Sequence, residues 1–304
     1  MTSLPIILFH SGNADYLKYS LKQAKHFNPD STVYLLGDKK NNRYSFVRHV
    51  NVSDIESDAA AFSRVYKHRS PNDETYELNC FLRWFYVKGF CKQHGIEGFI
   101  YLDSDVLAFQ NFTELKPFFG DSNIANTCDW TGMPAVTYFK NYEAIDSFCN
   151  FLMYCYTDAA AIKKLDAWYD TLLVDPISLG GISDMVLFHM YFLEHPAETM
   201  KIDLLTDDLA VDISINREDG YEMENGVKKV YWQNGLPSCK NTSTGKLVRF
   251  VSLHYQGNAK NLMREHYKGG GYEMHRMWES WQVKARFKKF RRAIKSIFKK
   301  QKPA

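Results

Sequence analysis

Two aspartates one residue apart, Asp103-Ser104-Asp105, follow directly on the unbroken apolar run Phe99-Ile100-Tyr101-Leu102. Such a run reads as a strand covered on both faces. Where an extended strand breaks into a turn, two carboxylates at this spacing can converge on one cation. Hard oxygen ligands suit Mg²⁺ or Mn²⁺, and such an ion can bridge adjacent phosphates and offset the charge on a departing diphosphate. D-x-D alone occurs by chance in solvated loops; its position after a buried strand gives it weight.

The second group is His254-Tyr255-Gln256-Gly257-Asn258-Ala259-Lys260. A histidine closing a strand can add an imidazole nitrogen to the same ion, which tilts preference from Mg²⁺ toward Mn²⁺. Gly257 lets backbone approach a phosphate, and Lys260 offers that group a point charge. A satisfied surface histidine and a solvated lysine are the bland alternatives. Asp184 follows Gly180-Gly181; it reads equally as a loop carboxylate near a substrate or as an acid favoured by a helix N-terminus. Asp212-Ile213-Ser214-Ile215-Asn216 alternates like a strand edge, with a structural role favoured over lining a site.

The elements that must position these residues form an alternating series. Ile6 to Phe9 is a short buried strand, and Leu17, Ser20, Leu21 and Ala24 mark one helical face that Asn28-Pro29-Asp30 ends. Val33 to Leu36 and Phe46 to Val52 are the next strands. Leu78, Phe81, Leu82 and Phe85 mark a helix reaching His94, closed by Gly95. Alternating strands and helices imply a parallel sheet with ligands at the carboxyl ends of its strands, where Asp103 lies. Later, Tyr142 to Tyr156 and Ser183 to Leu193 read as helices, the second capped by Ser183. Gly220 to Trp232 reads as a hairpin turning at Glu224-Asn225-Gly226, and Leu247 to Leu253 as one last strand ending at His254.

An arginine-bearing aromatic helix, an apolar strand into D-x-D, and a later H-x-x-G-x-x-K resemble the retaining glycosyltransferases of the glycogenin and lipopolysaccharide galactosyltransferase type. The resemblance covers residues 5 to 115 and 245 to 262. It implies an α/β fold of GT-A type, Rossmann-like with a mostly parallel central sheet, spanning residues 1–282. It further implies Mn²⁺ (or Mg²⁺) on Asp103, Asp105 and His254, and a nucleotide-sugar donor, UDP-linked, whose diphosphate meets Gly257 and Lys260. Arg83 matches the family's helix arginine that approaches the donor. Phe9, His10, Ser11 and Tyr16 stand where the family surrounds the nucleotide base, and Ser104 lies between the metal aspartates. Arg83, Lys260 and Asp184 are the expected catalytic residues, with Asp184 the candidate nucleophile if configuration is retained. The match is loose at His10-Ser11-Gly12-Asn13-Ala14-Asp15-Tyr16, Asn261-Leu262 stand where the family has proline and tryptophan, and Ser183-Asp184-Met185 stand for its D-Q-D. The donor sugar and the stereochemistry are thus less firmly implied than fold and metal site.

Asp129-Trp130 can shape an acceptor pocket or pack a core, the latter preferred. The high aromatic share, 15%, likewise reads mainly as core. The six cysteines form no C-x-x-C pair and read as buried thiols. No apolar stretch is long enough for a signal h-region or a membrane span, so the expected location is cytoplasmic, at the inner face of a membrane. That face is suggested by the tail. Lys284 to Ala304 carries ten Lys or Arg and no acid, which leaves −7 of the net +3 on the remainder. Phe287, Phe290, Ile294, Ile297 and Phe298 share one face of this basic amphipathic helix, 283–304, which suits an anionic membrane surface better than nucleic acid. The acceptor would be a glycan or glycolipid there. A nucleotidyltransferase is the nearest rival, disfavoured because the loop after the first strand has one glycine and no Lys or Arg. A catalytically inactive membrane-binding adaptor is the second rival.

Overall fold

The computed structural model describes residues 2–127, 133–174 and 181–269. The tail 283–304, the expected boundary at 282, Asp129-Trp130 and Cys128 lie outside the described residues.

The N-terminal half alternates as expected: β1 (Ile6–Phe9), α1 (Leu17–Phe27), β2 (Val33–Gly37), β3 (Arg48–Asn51), α2 (Ala59–Val65), α3 (Glu74–His94), β4 (Phe99–Leu102) and β5 (Val106–Ala108). Helix α3 begins at Asp73, whose side chain accepts a hydrogen bond from the Tyr76 amide. Glu74 and Glu77 lie in its first turn and Lys92 and His94 in its last, each complementing the helix dipole. The chain continues through β6 (Ile124–Thr127), β7 (Met133–Phe139), α4 (Tyr142–Thr157), α5 (Ala159–Val174), α6 (Asp184–Glu194) and β8 (Thr199–Lys201). The sequence reading assigned no element to β6, β7 or α5.

The central sheet runs β3-β2-β1-β4-β7-β6-β8. β3, β2, β1 and β4 are mutually parallel, β7 is antiparallel to both β4 and β6, and β8 is parallel to β6. This is the expected α/β architecture with a mostly parallel central sheet. Ile7, Phe99 and Tyr101 pack with α3, α4 and α6 on one face; Ile6, Leu8, Ile100 and Leu102 pack with α1 on the other. All four residues of β4 are fully buried, which explains their unbroken apolar run. The connection after β1 leads to β2 on one side, while β4 lies on the other. The carboxyl ends of β1 and β4 therefore flank a switch point, where a doubly wound sheet leaves a crevice.

Beyond the sheet come β9 (Leu204–Thr206), β10 (Leu209–Ala210), β11 (Met223–Glu224), β12 (Val227–Lys228), β13 (Val230–Gln233), β14 (Leu236–Lys240), β15 (Leu247–Phe250), β16 (Ser252–His254) and α7 (Met263–His266). β11 and β12 form a hairpin across the expected turn at Asn225-Gly226, but it is shorter than the expected 220–232, because Val230 to Trp232 pair instead with β14. A second, β13–β14, turns at Asn234-Gly235 by the same signal, which the sequence reading passed over.

The single strand expected over Leu247 to Leu253 is two. β15 joins β14 and β10 in a five-stranded sheet, whereas β16 pairs antiparallel with β5. The chain changes partner at Val251, whose N–H bonds Ala210 O and whose carbonyl accepts from the Phe109 amide, so no main-chain group is stranded by the break. The 212–216 segment, read as a strand edge, belongs to no strand.

Gly181 permits a close crossing: a Cβ there would meet Arg69 O at 2.1 Å. Ile182 N–H bonds that same carbonyl, which fixes the chain entering α6 against the loop before α3.

Leu253 is fully buried in the β5–β16 region. Leu253→Ala should lower stability by about 2–5 kcal/mol, as a buried Leu→Ala cavity does. Urea unfolding followed by circular dichroism measures it; a loss under about 1 kcal/mol would contradict the packing described.

Candidate active site

Asp103 ends β4, and its amide bonds Ala135 O on the neighbouring β7. Asp105 opens β5, where register with β16 sets Val106 opposite His254, and the Tyr255 amide bonds Asp105 O. Main-chain pairing thus carries a histidine from the far end of the chain to the D-x-D turn. The His254 ring is oriented by its other nitrogen: Nδ1 lies 2.7 Å from Ile213 O. A carbonyl only accepts, so the proton is on Nδ1 and Nε2 is the nitrogen turned toward Asp105, 3.5 Å from Oδ1.

One ligand atom each from Asp103, Asp105 and His254 lie within 4.8 Å of one another. Two carboxylate oxygens and an imidazole nitrogen with its partner nitrogen already committed form a donor set that fits Mn²⁺, and Mg²⁺ less well. These are the three residues singled out from sequence.

Cations surround the carboxylates. Arg83 Nη1 donates to Asp103 Oδ1 at 2.7 Å, and Tyr101 OH donates to the same oxygen at 2.9 Å. Lys260 Nζ sits 2.9 Å from Asp105 Oδ2. Burial pushes the Asp103 carboxyl above its ordinary range despite Arg83. At Asp105 burial acts the same way, but His254 and Lys260 outweigh it and hold the carboxyl well below that range. Burial would lower His254, yet the facing Asp105, helped by Asp103, raises it to about 9. Burial depresses Lys260, but Asp105, together with Tyr16 and Asp103, raises it above its ordinary value on balance.

Arg83 is shared. Its Nε and Nη2 donate to Asp184 Oδ2 at 3.2 and 2.5 Å, and Trp84 Nε1 adds a bond of 2.8 Å to that oxygen. Asp184 is the first residue of α6 after the Ser183 cap, so both sequence readings of it describe one position: a helix N-terminal acid that borders the site. Its Oδ2 is committed to Arg83 and Trp84.

Two adjoining clefts meet at Arg83, Asp103, Asp105 and Lys260. One, of about 260 Å³, is lined by Phe9, His10, Ser11, Tyr16 and Ser104. The other, of about 280 Å³, holds His254, Gly257, Asp184 and Ser183. Every site residue expected from sequence therefore borders one cleft or the other. His10 Nδ1 is 2.9 Å from Ser104 Oγ, tying the loop after β1 to the D-x-D turn, and burial lowers this histidine below its ordinary value. Gly257 has φ +53°, a conformation open to glycine, where the chain turns from His254 toward Lys260.

Other residues escaped the sequence reading. Tyr76 is 63% exposed and borders both clefts, as does Cys80, whose thiol burial pushes up to about 12. Both precede Arg83 on α3, and their apolar and aromatic neighbours masked them as core. Asn41 is buried and donates to His10 O and Gly12 O, shaping the loop after β1. Asp212 is fully buried and accepts from the His254 amide at 3.0 Å, the structural role favoured for it. The other described cysteines, Cys91, Cys149, Cys155 and Cys239, are free and buried, as read.

No protein-family model matches this chain, nor does any curated protein. Solved structures do. Mouse xyloside xylosyltransferase 1 is 14% identical with a TM-score of 0.45, over 66% of this chain and 85% of that one. Galactosyltransferase LgtC, solved with donor and acceptor sugar analogs, is 15% identical with a TM-score of 0.36, over 66% and 73%. The bifunctional glycosyltransferase WbbM is 11% identical with a TM-score of 0.45; the match takes in 90% of this chain but only 51% of that one. At such identities the likeness concerns backbone arrangement alone, and the site is read from its own residues.

In the metal-free protein, His254 takes up a proton on folding between its free value of 6.5 and about 9. A raised folded-state value contributes stability that is complete below 6.5 and is lost as pH rises through about 9. In EDTA, the wild-type Tm should fall across that window relative to His254→Gln, which lacks the group. Parallel melting curves that never converge or diverge with pH would contradict the His254–Asp105 pairing.

Proposed function

We propose that this chain is a metal-dependent glycosyltransferase that moves a sugar from a nucleotide diphosphate donor, a UDP-sugar, to a glycan or glycolipid acceptor with retention of configuration. The observation that supports it most is the convergence of Asp103, Asp105 and His254 Nε2, with Lys260 beside them, in the crevice at the β1 and β4 carboxyl ends. Asp103, Asp105 and His254 would hold Mn²⁺, which when bound supplies positive charge beside the donor diphosphate.

The chain's own residues do the rest. Lys260, beside Asp105 where the two clefts meet, sets its ammonium against the diphosphate as the bond to the anomeric carbon breaks. Gly257 brings backbone close to the same group. Phe9, His10, Ser11 and Tyr16 line the cleft assigned to the nucleotide. Arg83 keeps Asp103 oriented and stays charged between its two carboxylates, which overcome its burial. Asp184 lies on the side assigned to the transferred sugar, where it fixes Arg83; its bonds to Arg83 and Trp84 disfavour attack through Oδ2. For residues 283–304 the proposed role is docking on an anionic membrane, near a membrane-borne acceptor, and rests on their sequence pattern.

Asp103→Asn or Asp105→Asn should cut Mn²⁺-supported hydrolysis of the preferred nucleotide sugar on the order of 100-fold or more with the fold intact. A panel of nucleotide sugars identifies that donor without any acceptor. EDTA should abolish turnover and Mn²⁺ restore it; undiminished turnover in EDTA refutes the metal mechanism.

Truncation after Gln282 should abolish sedimentation with anionic vesicles and spare hydrolysis of a soluble donor. The charge contribution, about 1 kcal/mol per Lys or Arg, weakens with salt, whereas the apolar face does not. Binding by the truncated chain, or equal binding to neutral vesicles, would assign the tail another purpose.

A further inference from the structure

Lys228, on β12, is 1% exposed, yet it is an ammonium that lines neither of the two clefts at Asp103 and Asp105. Its Nζ donates to Asp212 Oδ1 at 2.8 Å, Ser214 O at 2.6 Å and Asp219 Oδ2 at 2.8 Å, which uses all three of its protons. Its amide bonds Ile215 O at 2.7 Å. The segment it grips, 212–215, belongs to no strand or helix itself.

That same segment holds His254. Asp212 Oδ2 accepts from the His254 amide at 3.0 Å, Ile213 O takes the ring Nδ1 proton at 2.7 Å, and the Ile215 amide bonds His254 O at 2.9 Å. The two oxygens of Asp212 thus divide their work, one bound to Lys228 and the other to the backbone of the histidine.

We propose that Lys228 is a positioning residue for His254, fixing the 212–215 main chain so that the imidazole presents Nε2 toward Asp103 and Asp105. A buried ion pair adds little stability over an apolar pair of equal volume, so stability alone does not account for a lysine here. An apolar pair cannot bond the Ser214 carbonyl or hold the carboxylate that carries the His254 amide. Partners behind a metal-ligating histidine set its ring orientation, and their loss weakens metal binding about 10–100-fold. The metal part of this inference rests on the function proposed above; the orientation of the ring does not.

The test compares wild type, Lys228→Met, and the double variant Asp212→Asn with Lys228→Met, which leaves no buried charge unpaired if the single variant fails to fold. Lys229→Met, a neighbour on the same hairpin, is the control. In ¹⁵N-histidine-labelled, metal-free protein, the His254 Nδ1 proton held against Ile213 O should give a ring N–H resonance protected from solvent exchange. Wild type and Lys229→Met should keep it, and both Lys228 variants should lose it. Their Mn²⁺ affinity should drop about 10-fold or more while the far-ultraviolet dichroism stays native. A merely structural lysine predicts a lower Tm with resonance and affinity unchanged, and that result in a folded variant overturns the proposal. Because the resonance is read without metal, its loss or retention decides the positioning role even if wild type binds no Mn²⁺, an outcome that would defeat the metal reading alone.

Discussion

Two carboxylates in a partly desolvated cleft, Asp103 at 18% and Asp105 at 14% exposure, set the main constraint on this molecule. Like charges about 4 Å apart repel by about 4 kcal/mol at an effective dielectric near 20. Three cationic groups meet that repulsion. Arg83 comes from the helix before β4, His254 from the end of β16, and Lys260 from the turn that follows. Each is paired closely enough to offset both the mutual repulsion and the loss of water.

Those pairings require support of their own. Arg83 is anchored at its far side by Asp184, and Trp84 donates to the same carboxylate from within the aromatic core. Trp84 lies 4.5 Å from the Tyr101 ring, whose hydroxyl bonds Asp103. The site is thereby continuous with the packing of the central sheet. On the opposite side, His254 is held by the pairing of β5 with β16 and by the buried, irregular 212–215 segment. Few of these supports face solvent, so the geometry of the carboxylates is set by the interior.

The aromatic residues divide in the same way. Phe148 and Phe188 stack at 3.8 Å, Phe99 and Phe139 at 5.0 Å, and most of the large rings are buried. Packing therefore accounts for most of the aromatic share. Tyr76 is exposed at the mouth of both clefts, and Tyr16 lies with its ring 5.6 Å from Lys260 Nζ. With Phe9, which lines one of the clefts, these rings are in position to meet a ligand.

The sequence by itself determined the parallel β1, β2 and β4 framework, because strands covered on both faces must be unbroken apolar runs and the helices between them must show one apolar face; the edge strand β3, Arg48–Asn51, carries no such run and reads longer, as Phe46 to Val52. It also marked the candidate ligands Asp103, Asp105 and His254, which the fold brings together, and the neighbours Arg83, Lys260 and Asp184, since few residue types can hold or balance such charge. It did not reveal the antiparallel β6 and β7: Ile124-Ala125-Asn126-Thr127 carries two polar residues in buried positions, and direction in a sheet is a property of pairing. It read 247–253 as one strand because local pattern cannot register a change of partner at Val251. The partners of Asp212, Lys228 and Asn41 were likewise hidden. A buried polar residue is defined by what it bonds, and its partners here lie up to 42 residues away, as with Asp212 and His254. Composition and spacing named the groups able to do the chemistry; only tertiary structure decided which oxygen, nitrogen and carbonyl each would face, because orientation is fixed by contacts between segments distant in the chain.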